Sequence, residues 1–288
     1  MKRNNMRRNS VVCKILFICV TILFTLYAIT LLYPFYFAFN ASLMDGARTF
    51  MKNRIAFPNP VKFDNYIKAI TELKIGKTGF LMMTFNSVWY SLGNAVFGMA
   101  TTMMTTYVVC KYKFRGREFI YSLVLILDMI PIYGTLPATY RLYDKLGMLE
   151  SPLILLSAFS GRAYFLYIYA FWRAIPMDYA EAAFIDGASD RKVFWHIMVP
   201  MILPSVSAIF IMQFTGLWNS YDGPMLYLSR NYPTLSVGLF MYEKRMQYKA
   251  NHPVYFAGVI WALIPILLLF GFFQNTIMSK VHLGGLKQ

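Results

Sequence analysis

The 288-residue sequence predicts an all-α, polytopic membrane protein with six transmembrane helices, and three observations carry that prediction. The chain is 58% hydrophobic and 18% aromatic but only 14% charged, with a mean hydropathy of +0.47. Soluble domains carry roughly 25% charged residues, so these charges cannot cover a soluble globule, and disordered chains are poor in aromatics. Six stretches are each long and apolar enough to cross roughly 30 Å of hydrocarbon, which takes about 20 residues. The basic residues collect in short segments at the ends of those stretches, as they do on the cytoplasmic side of membrane proteins.

The first stretch, 11–35, follows Met1-Lys2-Arg3-Asn4-Asn5-Met6-Arg7-Arg8, which looks like the basic start of a signal peptide. Its apolar run exceeds the 7–15 residues of such a core and no Ala-x-Ala follows, so it reads as an uncleaved anchor. The other stretches are 83–109, 119–138, 152–171, 203–226 and 254–278. The turn after the second carries Lys111, Lys113, Arg115 and Arg117. The segment 140–151 has only Arg141 and Lys145. An even number of spans with basic ends puts both termini in the cytoplasm. The same bias explains the net charge of +15 without nucleic acid as a partner.

The expected organisation is therefore a cytoplasmic start and first helix over 1–35, and an extracytoplasmic segment over 36–82. A transmembrane core over 83–278 contains a cytoplasmic loop at 172–204, and a cytoplasmic tail occupies 279–288. That loop is the chemically informative segment. Pro176 and Asp178 suit a helix N-terminus, where a fixed φ and a carboxylate near the dipole both help. Tyr179 to Asp186 predicts about two turns, and Gly187 is tolerated where a helix stops and the chain bends. Ala188-Ser189-Asp190 predicts the cap of a second short helix through Trp195, with Pro200 and Pro204 leading into the next span. Phe184, Phe194 and Trp195 would then be offered to a partner. The competing reading is a helix lying on lipid, where the acidic residues would sit poorly beside anionic headgroups.

Glu181-Ala182-Ala183, then Gly187, Ile197, Pro200, Leu203 and Pro204, resembles the cytoplasmic "EAA" loop of ABC import permeases. Ile185-Asp186-Gly187-Ala188-Ser189 is especially similar to the carbohydrate-uptake branch, in its maltose-type second permease subunit. Trp218-Asn219-x-Tyr221 with Pro224-Met225, and the tail Leu283-Gly284-Gly285-Leu286-Lys287, fit the same branch. The likeness extends over roughly 83–278 and implies the MetI-like transmembrane fold of type I importers. It also implies that the loop is a coupling helix seated in a groove of a separate ATPase subunit, with Glu181 as charged anchor and Gly187 as bend. Phe184, Asp186 and Trp195 would complete that contact. The implied partners are a sister permease, two ATPase subunits, an extracytoplasmic substrate-binding protein and the lipid of the cell membrane. The binding protein would dock on the outside segment 227–253, with Lys244, Arg245 and Lys249. No cofactor is expected in this chain, ATP and magnesium being held by the partner ATPase.

No enzymatic activity is expected of the chain itself. Gly76-Lys77-Thr78 ends like a phosphate loop, but that motif needs a glycine where Thr71 stands. Cys13, Cys19 and Cys110 have no paired spacing, and His196, His252 and His282 are scattered. A secondary transporter or channel working without an ATPase is the alternative, and it would be expected to show inverted repeats or rows of intramembrane carboxylates.

Two charges lie inside expected spans. Asp128 is eleven residues after Arg117, and Arg162 is eleven before Arg173, which places each roughly 16 Å deep. They are either a structural ion pair between neighbouring spans or part of the substrate path, where Arg162 would bind sugar hydroxyls or an acidic sugar. Trp218, Asn219, Tyr221 and Asp222, at the outer half of the fifth span, are either sugar contacts or ordinary interfacial aromatics and polar groups.

Overall fold

The computed structural model describes residues 2–130, 134–160, 164–246 and 251–281, with side-chain surroundings for 13–130, 134–160, 164–245 and 251–274. The chain divides into two compact units, Met1–Ala69 with Arg245–Trp261, and Ile70–Lys244 with Ala262–Gln288.

The first unit opens with α1 (Lys2–Ser42), a single 41-residue helix that keeps Pro34 inside it. Every side chain from Cys13 to Tyr36 is exposed. The end of α1 is held by α2 (Gly46–Lys52) and the first turns of α3 (Asp64–Glu72). Helix ends leave carbonyls without intrahelical partners. Here the buried Asn65 amide donates to the carbonyls of Ser42 and Met44 at 2.8 and 2.9 Å. Phe37, Phe50 and Phe256 pack edge to face around Ala41 and Met44.

The second unit begins with a small antiparallel hairpin, β1 (Lys74–Ile75) and β2 (Thr78–Gly79). Gly76, at φ +56°, and Lys77 form its turn, so the Gly-Lys-Thr sequence lies on a hairpin. Next comes α4 (Phe80–Lys111), the central helix, which packs against a 3₁₀ helix (Pro152–Ser160), α7 (Phe165–Ala174) and α10 (Val199–Asn219). Its buried face is rich in small and polar residues: Asn86, Ser87, Ser91, Asn94, Gly98, Thr102 and Thr106. Such residues let helix backbones approach closely in membranes. At Gly98 an added Cβ would lie 2.9 Å from the Gln213 amide. The hydroxyls of Thr102 and Thr106 donate to carbonyls four residues back, so their polarity is satisfied within the helix.

The remaining elements are α5 (Arg117–Met129), α6 (Leu136–Lys145), α8 (Asp178–Ile185), α9 (Asp190–Val193), α11 (Asp222–Tyr227), α12 (Leu235–Met246) and α13 (His252–Val281). A π turn (Phe194–Met198) joins α9 to α10.

Among the described residues, Cys13–Ser42, Asp190–Asn219 and His252–Gln274 are long and apolar enough to cross a membrane on their own. A fourth span results if the 3₁₀ helix and α7, whose axes differ by 54°, are one bent crossing. The expected second span is α4, long enough at 32 residues but diluted by its asparagines and threonines. The expected third span, 119–138, is divided. At 13 residues α5 reaches about 20 Å, short of the hydrocarbon thickness. Ile130 is extended, as a residue before proline prefers to be, Gly134 has φ +76°, and α6 starts afresh at Leu136.

The candidate coupling elbow

Between α7 and α10 the chain turns twice. Ile175 ends α7 in an extended conformation, Pro176 and Met177 follow, and α8 starts with Asp178 and Glu181 in its first turn, where carboxylates complement the helix dipole. At the other end Gly187 takes φ +79°, a conformation that a side chain disfavours. Its N–H donates to the Phe184 carbonyl and that of Ala188 to the Ala183 carbonyl, closing the end of α8. Ser189 occupies the cap position of α9 in extended conformation, with no side-chain cap bond. The two helices and the bend form an elbow.

One side of the elbow is built in. Ala180, Ala183 and Val193 are buried with Met103, Tyr107, Trp172, Phe194 and Met198. The Trp172 indole donates to the Met103 carbonyl at 3.2 Å, and the Tyr107 ring lies 5.0 Å from Trp172 and 4.8 Å from Phe194. The other side is open: Glu181, Ala182, Asp186 and Gly187 are exposed, and Ile185 is 87% exposed. The sequence reading did not single out Ile185 as a candidate, although an isoleucine beside Asp186-Gly187 at a helix end is an apolar group in a polar bend.

Two residues at the foot of α4 hold the elbow. The Lys111 ammonium donates to the Ile175 carbonyl at 2.5 Å, and the Tyr112 hydroxyl donates to the Asp190 carboxylate at 2.7 Å. Burial, together with the acceptor Asp190, pushes the Tyr112 phenol well above its ordinary pKa, so it stays a protonated donor.

Several expected positions change. The second elbow helix is not separate: α9, the π turn and α10 form one helix over Asp190–Asn219, with Pro204 inside it. Phe194 is therefore core, 9% exposed, rather than on offer to a partner. Phe184 is half-buried against the same cluster. Trp195, 44% exposed, lines an apolar cavity of about 290 Å³ with Met99, Met103, Leu203, Phe210 and Phe273.

The expected substrate-path residues have varied surroundings. Trp218 is buried, stacked on Phe214, and donates its indole N–H to the Ala262 carbonyl at 3.1 Å, so it joins α10 to α13. Asn219 and Asp222 are exposed, and Tyr221 stacks on Phe240 at 4.3 Å. Asp128 is exposed at the end of α5, while Arg162 lies outside the described residues, as does their pairing. Lys249 also lies outside them.

Toward the other end of α4, Tyr90, Tyr143, Tyr227 and Tyr232 gather with Trp89 and Met148. Glu150, at φ +52°, accepts the backbone N–H of Arg230 at 3.1 Å and of Asn231 at 2.8 Å. Among the described residues no group of three His, Cys, Asp or Glu could hold a metal ion.

A helical membrane protein with an acid-bearing elbow opening the way into a long apolar helix has the form of a transport permease. Residues 98–282 match the family model described as "Binding-protein-dependent transport system inner membrane component", and the chain belongs to that family. The diacetylchitobiose uptake system permease protein NgcG of Streptomyces coelicolor is 30% identical, over 81% of this chain and 77% of that protein. The arabinooligosaccharides transport system permease protein AraQ of Bacillus subtilis is 28% identical, over 94% of this chain and 95% of its own. A crystal structure of a bacterial ABC transporter involved in the import of the acidic polysaccharide alginate includes a chain with the same fold. The TM-score is 0.76 at 20% identity, covering 91% of this chain and 96% of that one.

Proposed function

We propose that this chain is one of two different permease subunits of an ATP-driven oligosaccharide importer. It forms the translocation path with its sister and takes motion from separate ATPase subunits through the elbow. The observation that carries this reading is the two-sided elbow, with Ala180, Ala183 and Val193 buried in the protein and Glu181, Ile185 and Asp186 left open at the tip. A surface built this way suits seating in another polypeptide, with Glu181 as charged anchor, Ile185 as apolar plug and Gly187 as bend. ATP and its magnesium belong to the partner, and this chain performs no chemistry on the substrate. The termini and the elbow face the cytoplasm, and an extracytoplasmic binding protein delivers the substrate. Transport is a shift between two packings of the spans, imposed by a partner that binds one of them better.

The carbohydrate class is supported by the relatives, whose names specify diacetylchitobiose and arabinooligosaccharides. The test is purification from its native membrane followed by uptake of labelled oligosaccharides in proteoliposomes. An ATPase subunit is expected to co-purify, and Glu181→Lys is expected to release it and abolish uptake. ATP-independent uptake by the chain without an ATPase would instead establish a secondary transporter.

A further inference from the structure

The foot of α4 carries a feature that the importer reading does not use. Lys111 and Tyr112 are consecutive, and each grips one end of the elbow. Lys111 holds the carbonyl of Ile175, three residues before α8 begins. Tyr112 holds the carboxylate of Asp190, the first residue of α9. Everything between these grips is the elbow itself. The partners are 64 and 78 residues apart in sequence, so the grips fix tertiary position rather than local conformation. Behind them Tyr107, one turn back along α4, lays its ring against Tyr112 at 5.8 Å as well as against Trp172 and Phe194. A push on the elbow therefore meets α4 at two hydrogen-bonded points backed by packed rings. From there α4 runs 32 residues in contact with the 3₁₀ helix, α7 and α10.

We propose that Lys111 and Tyr112 are positioning residues that form a two-pronged fork, making α4 the helix driven when the elbow moves. This rests on the importer reading. The fork touches neither nucleotide nor substrate; it sets how much elbow displacement reaches the spans. Its signature is a change in substrate moved per ATP hydrolysed, with the ATPase still bound.

The experiment uses the complete transporter, with its sister permease, ATPase subunits and binding protein, in proteoliposomes, and measures uptake and ATP hydrolysis together. Tyr112→Phe removes one hydroxyl, and Asp190→Ala removes its acceptor. Each is expected to lower transport per ATP several-fold, and the double variant is expected to be no worse than either alone. Asp190→Asn keeps an acceptor oxygen and is expected to restore the ratio. Lys111→Met is expected to lower it through the other prong, and reads the same quantity if Tyr112→Phe does not assemble. Unchanged ratios, additive losses in the double variant, or uptake and hydrolysis falling together would each overturn the fork. A wild-type chain that retains no ATPase would overturn the importer reading itself, which the same preparation reveals before any variant is made.

Discussion

Two long helices of this chain, α1 and α4, treat their residues in opposite ways. Helix α1 is apolar almost throughout, yet every side chain from Cys13 to Tyr36 is exposed in this chain. Helix α4 carries asparagines, serines and threonines, yet those residues lie on its buried face. In water the apolar helix would be the buried one. In a bilayer lipid is as apolar as leucine, so apolar surface gains little by being covered, while small and polar residues allow close helix packing and shared hydrogen bonds. Between these two helices, hydropathy alone does not decide which one is buried.

Matched substitutions in the two surroundings test that contrast, with unfolding of the purified chain in detergent as the measurement. The largest difference is expected between Trp172→Ala, beside α4, and Phe24→Ala, on α1. Trp172 is fully buried and bonded to α4, so its truncation costs about 3–5 kcal/mol, whereas exposed Phe24 changes stability by about 0.5 kcal/mol or less. A smaller gap is expected for Gly98→Leu against Ala28→Leu. The first drives a side chain into Gln213, an overpacking worth about 1–3 kcal/mol, and the second points outward. The smallest is expected for Thr106→Val against Thr25→Val, since each hydroxyl donates to the carbonyl four residues back. Loss of the buried bond costs about 0.5–1 kcal/mol, and the exposed one less. Equal losses within all three pairs would mean that α1 is packed as tightly as α4.

The local features were legible in the sequence. Pro176, Asp178 and Gly187 mark the start of α8 and the bend after it, because caps and positive φ are chosen by the residues that adopt them. The MetI-like fold was legible through the loop motif and the apolar stretches. The interruption of the third span was written in Pro131 and Gly134, but a hydropathy window averages over such residues and returns one continuous stretch. What the sequence withheld was non-local. Nothing near Trp218 states that its indole meets Ala262, or near Phe194 that it meets Tyr107. The grips of Lys111 and Tyr112 were hidden for the same reason: as a sequence they read only as basic and aromatic residues at a helix end.

The short reach of α5 has a further consequence. The end of a helix leaves its last carbonyls without intrahelical donors. In pure hydrocarbon each such group costs several kcal/mol, so a helix that stops after about 20 Å is tolerated only beside protein or water. If α5 halts within the bilayer at Met129, its last carbonyls call for cover by protein, this chain's own or another's, or for water, rather than for lipid.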